Sequence, residues 1–84
     1  MFLVLHAVKN GNYITDVKIF KIAQHFHTAK EFARSSLSES TQNQLFELDN
    51  PEEEFLDIID NVAYAIVDDE NEEGEVRCSI VVHF

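Results

Sequence analysis

The stretch Phe2-Leu3-Val4-Leu5-His6-Ala7-Val8-Lys9-Asn10-Gly11-Asn12-Tyr13-Ile14-Thr15-Asp16-Val17-Lys18-Ile19-Phe20-Lys21-Ile22-Ala23 decides the fold. Phe2 to Val8 is apolar at every position but His6, the pattern of a strand buried on both faces inside a sheet. Asn10-Gly11-Asn12 follows, and Asn-Gly is the strongest short hairpin signal, because both residues accept positive φ. Tyr13 to Ala23 is rich in β-branched and aromatic residues and reads as the return strand. Its alternation slips between Ile19 and Phe20, which predicts a bulge or bend there.

Outward from this hairpin, Thr28-Ala29-Lys30-Glu31 has capping-box spacing. Ala29, Phe32, Ala33 and Leu37 then form a helical apolar stripe. Residues 35–44 are polar and serine-rich, compatible with a helix end plus loop or with a continued surface helix. Leu45-Phe46-Glu47-Leu48 is a short apolar patch, a further element of open type. Asn50-Pro51-Glu52-Glu53-Glu54 predicts a second helix start, with an Asn cap, Pro in the first turn and acids at the positive end of the helix dipole. Phe55, Ile58, Ile59 and Val62 continue at i, i+3, i+4 and i+7. Residues 63–67 read as a strand, 68–74 as an acidic turn, and 76–84 as an alternating strand with Val76, Cys78, Ile80, Val82 and Phe84 on one face. The expected order is β-β-α-α-β-β, an α+β two-layer sandwich in one domain spanning residues 1–84. Its antiparallel sheet has about four strands, with two helices on one face.

Charge is the second informative feature. The 84 residues carry a net charge of −10. Residues 1–37 hold five basic and two acidic side chains, while residues 38–84 hold one basic side chain, Arg77, and fourteen acidic ones. A nucleic-acid ligand would need Lys and Arg to neutralise phosphates, so this balance speaks against direct nucleic-acid binding and for a basic protein partner. Anionic membrane surfaces would repel the chain, and no apolar run approaches the roughly 20 residues needed to span a bilayer. The apolar start is too short for a signal peptide and has no basic n-region. One cysteine, Cys78, excludes an internal disulfide, whereas small secreted domains usually carry several; a reducing cytoplasm is the expected compartment. If the chain comes from a phage, that is the host's cytoplasm.

On a continuous second helix, Glu53, Asp57 and Asp60 would lie opposite the apolar stripe with Glu54 beside them, spaced by roughly 6 and 4.5 Å along the axis. Such a row approximates the phosphate spacing of a nucleic-acid strand. With Asp68, Asp69, Glu70, Glu72 and Glu73 of the turn, it forms the expected partner-binding surface, one that a basic groove would accept by charge attraction. The plain alternative is a solvated helix face.

Other chemistries find less support. Residues 69–74 match the opening of a calcium loop, but Ile80 stands where the bidentate Glu belongs and Arg77 falls inside the loop. The histidines His6, His25, His27 and His83, with Cys78, carry no CxxC or HExxH spacing, so no metal or cofactor is expected. No GxSxG or Gly-rich phosphate loop occurs, and the chain is not expected to be an enzyme.

In size, charge and absence of catalytic motifs the chain resembles small acidic inhibitors of phages and mobile elements, including DNA mimics that block restriction enzymes, CRISPR effectors and other nucleic-acid-handling proteins. That resemblance implies a non-enzymatic inhibitor acting on such a partner. Two further readings stand beside it. One is an assembly module that pairs the apolar strand 80–84 with its copy to give a homodimer. The other is an immunity or antitoxin protein guarding a basic nuclease.

Overall fold

Strand β1 (Phe2–Asn10) pairs with β2 (Tyr13–Ala23) as an antiparallel hairpin. The computed structural model describes residues 1–11, 13–38, 45–55, 58–68 and 73–84. Gly11 turns the hairpin at φ +60°, a left-handed conformation with no Cβ to oppose it. Ile19 pairs with Leu5 and Lys21 with Val4, so Phe20 is the extra residue of a bulge, where the alternation slips. A second register shift, between His6 and Val8, faces Asp16, whose φ is +55°.

After the hairpin come α1 (Phe26–Ser38), β3 (Phe46–Glu47), α2 (Pro51–Glu54), β4 (Val62–Val67) and β5 (Glu75–His83). Among the described residues the strands form one antiparallel sheet in the order β2-β1-β5-β4-β3. It thus has five strands rather than about four, the added one being the two-residue edge strand β3 near Leu45. β5 runs between β1 and β4 and is the centre of the sheet. The expectation that strand 80–84 is open to a copy therefore fails, because both of its edges are already paired.

The helices do not share a face. Ala29, Ala33 and Leu37 of α1 pack with Val4, Ala23, Tyr64, Ile66 and Val81. Alanine at two of these helix positions lets α1 lie close to the strands. On the opposite face, Ala7, Ala65, Cys78, Ile80 and Val82 pack with Phe55, the residue that ends α2. The alternation of β1 and β5 divides these sets, as period 2 requires. The molecule is three-layered: α1, the sheet, and a short layer that includes residues 48–55 and 58–60. The sheet needs both covers because β1 and β5 are apolar on both sides. Phe55 is fully buried, which contributes about 1.5–3 kcal/mol.

Two helix boundaries differ from the sequence reading. α1 begins at Phe26, with the Ala29 N–H donating to the His25 carbonyl at 3.1 Å, so Thr28 sits inside the first turn and is not its cap. His25 and His27 accordingly stand at the start of a helix, not along a strand. α2 starts at Pro51 as expected, although Asn50 makes no side-chain cap bond, and it stops after one turn at Glu54. Phe55 and Ile59 still turn toward the sheet, but Asn61 at φ +60° sends the chain directly into β4. Among the described residues no helix is long and apolar enough to cross a membrane.

Candidate functional site

In the β1–β5 register Asn10 faces Glu75, so the β1–β2 turn and the β4–β5 turn lie at the same end of the sheet. Glu54 comes to this end as well, its carboxylate 2.5 Å from Lys9 Nζ. The described acids of the expected surface do not form one row: Glu54, Asp68 and Glu73 lie at this end, whereas Asp60, just before Val62 opposite Val82, lies at the other. A row through Glu53, Asp57 and Asp60 requires helix as far as Asp60; α2 ends at Glu54, and Asp60 belongs to the turn before β4. Glu53, Glu54, Asp60 and Glu73 are exposed. Asp57, Asp69, Glu70 and Glu72 lie outside the described residues.

Asp68 has a different place. It is 4% exposed, and its carboxylate accepts from Arg77 Nε at 2.7 Å and from the Arg77 backbone N–H at 3.0 Å. A partner cannot reach it; it fastens the β4–β5 hairpin.

Three of the acids outside the expected surface have informative places. Asp49 and Glu52 are exposed beside Glu53 on the layer over the second face. Glu47 is ion-paired with Arg34 and accepts from the Tyr64 hydroxyl at 3.0 Å, which ties β3 to α1. Only the tertiary fold brings residues 34, 47 and 64 together, so no local pattern marks them.

Three of the lysines, Lys18, Lys21 and Lys30, lie on the α1 side. Lys21 and Lys18 pair with Val4 and His6, on the α1 side. The Lys21 ammonium lies 5.1 Å from the centre of the Phe32 ring, and the Lys30 ammonium 5.1 Å from that of Tyr64. Such contacts hold a cation against the ring's negative face. Lys9 and Arg34 do pair with acids of the second half, so part of the basic set neutralises across the fold and the rest stays on the α1 side.

A cleft of about 570 Å³ opens on that side between α1, β1, β2 and β5, lined by His6, Lys18, Ser36 and Arg77 among others. His6 Nε2 lies 2.8 Å from Ser36 Oγ, and Ser36 Oγ donates to the Ala33 carbonyl at 2.9 Å. A hydroxyl has one proton. With it on Ala33, Ser36 accepts from the His6 N–H and is not primed as a nucleophile. Burial, and then the Arg77 charge, hold the His6 pKa below its ordinary value, and Phe20 stacks on the ring at 4.4 Å. The Cys78 thiol is buried and pushed up to about 11, chiefly by that burial, so at neutral pH it is a protonated core group. Among the described residues, no three His, Cys, Asp or Glu side chains converge as a metal site requires.

No protein-family model, curated protein or solved structure matches this chain. Function is therefore argued from its own residues.

Proposed function

We propose that this chain is a non-enzymatic binding protein that docks an acidic surface onto the basic surface of a nucleic-acid-handling protein and so blocks it. One observation carries this reading. Asp49, Glu52, Glu53 and Asp60 are exposed on the layer over the second face, and no ion pair among the described residues neutralises them, while Lys18, Lys21 and Lys30 lie on the other face. Like charges held together on a folded surface repel and cost stability, and a cationic partner removes that cost. Asp49, Glu52 and Glu53 come from one short turn and its approach and Asp60 from the far end of the same layer, so what they offer is a spread of anionic charge rather than a linear phosphate-like row. Such a surface acts in the compartment of its target, which for nucleic-acid-handling proteins is the cytoplasm of a cell or of an infected host.

The experiment is capture from the native host's lysate on the immobilised chain, followed by a salt gradient. The expected result is a basic nucleic-acid-handling protein that elutes as salt rises and is not captured by the Glu52→Lys/Glu53→Lys/Asp60→Lys chain. Equal capture by the charge-reversed chain, or no salt-eluted protein, would overturn the reading.

A further inference from the structure

The cleft on the α1 side holds opposite charges that do not meet. Its volume of about 570 Å³ lies within the roughly 300–1,000 Å³ of small-molecule sites. Asp16 and Lys18, two residues apart on β2, both line it, yet neither belongs to an ion pair among the described residues. They stand at the register shift where Asp16 and Val17 together oppose Ala7 of β1, with Asp16 at φ +55°. A bulge of this kind re-aims a side chain.

The rest of the wall is fixed. His6 is held by the Ser36 hydroxyl at 2.8 Å and by the Phe20 ring stacked on it at 4.4 Å. Arg77 is fastened to Asp68. Val8 and Leu37 add apolar surface. Side chains that are already ordered give up little freedom on binding.

We infer that this cleft binds a free α-amino acid with an apolar side chain, its carboxylate against Lys18, its ammonium against Asp16 and its side chain against Val8 and Leu37. Electrostatics selects a zwitterion over an ion of either sign. The chain's net charge is −10. The last turn of α1, the negative end of its dipole, contributes Ser36 and Leu37 to the wall and carries no basic residue. A plain anion meets that field together with Asp16, and a plain cation meets Lys18 and Arg77. A zwitterion has no net charge and sets each pole on its opposite. The Cα atoms of Asp16 and Lys18 are at most about 7 Å apart, a gap that a ligand with both charges on one α-carbon bridges. The inference uses none of the acids of the docking surface proposed above and stands or falls apart from it.

The test is an amide NMR titration of the purified chain with probes of one carbon skeleton: leucine, isocaproate, which lacks the ammonium, and isopentylamine, which lacks the carboxylate. The expected result with leucine is saturable shifts at Asp16, Lys18, Ser36 and Arg77 at a Kd of about 1 mM or below, with each of the other probes weaker by about tenfold or more. Asp16→Asn and Lys18→Gln are each expected to weaken leucine by about fivefold or more at an otherwise unchanged amide spectrum. Asn accepts the positive φ of position 16. No saturable shift with leucine up to about 10 mM would overturn the inference. So would isocaproate or isopentylamine binding as tightly as leucine, or folded variants that bind leucine equally well. The comparison of probes needs no variant, so it decides even where a substitution unfolds the chain.

Discussion

Asp68 and Arg77 hold each other at three points: side chain to side chain at 2.7 Å, Arg77 backbone N–H to carboxylate at 3.0 Å, and Asp68 N–H to Arg77 carbonyl at 3.1 Å. The two side chains are unequally placed, at 3% exposed for Asp68 and 42% for Arg77. Arg77→Ala therefore leaves a buried carboxylate without its cation, whereas Asp68→Ala releases a guanidinium that water can solvate. The expected costs are about 3–5 kcal/mol for Arg77→Ala and about 1–3 kcal/mol for Asp68→Ala. Urea denaturation of the two variants measures both, and the reverse order would show that the carboxylate is not the more costly member to strand.

His6 makes stability depend on pH. Its folded pKa lies below its ordinary value, so the unfolded chain takes up its proton first. The contribution of the neutral ring is full above the ordinary histidine range and is lost as pH falls through the lowered folded pKa. Melting temperature is expected to drop on acidification from pH 7 toward 5, and His6→Gln, which keeps a donor toward Ser36, is expected to flatten that slope. Parallel wild-type and variant slopes would exclude His6 as the source.

Ser79 is fully buried, opposite His6 on β1 and Ile66 on β4, and its hydroxyl has no hydrogen-bond partner among the described residues. An unpaired buried hydroxyl costs free energy that its removal recovers. Ser79→Ala is expected to raise stability by about 1 kcal/mol, read from the urea midpoint at unchanged slope. A destabilised variant would mean that the hydroxyl is satisfied.

Local patterns in the chain reveal most of its elements. The hairpin, the Phe20 bulge, the α1 stripe and the alternation of β5 are all visible, because each depends on neighbours within a few residues. The arrangement of layers was also present in principle. A strand apolar on both faces needs cover on both, so reading Phe2 to Val8 as doubly buried is inconsistent with two helices on one face. The length of α2 was not legible. Phe55, Ile58, Ile59 and Val62 have helical spacing, yet Val62 is claimed by pairing with Val82, a contact far away in the sequence. The surface suffered for the same reason. Asp68 resembles its acidic neighbours until Arg77 is brought to it, and the exposure of Val17, Ile19 and Ile22 follows from β2 being an edge, a matter of strand order alone.

The adjacency of β1 and β5 at the heart of the sheet also governs how the chain assembles. The β1–β2 and β4–β5 hairpins each need only local closure. The seam between them, from Phe2 against His83 to Asn10 against Glu75, joins segments at opposite ends of the sequence, and the loop entropy of that closure comes due before any of its contacts form. By that entropy argument the two hairpins are expected to close before the seam, with the joining of the first strand to the last as the slow step. Until that joining, the apolar positions of both strands remain open to water and to other chains.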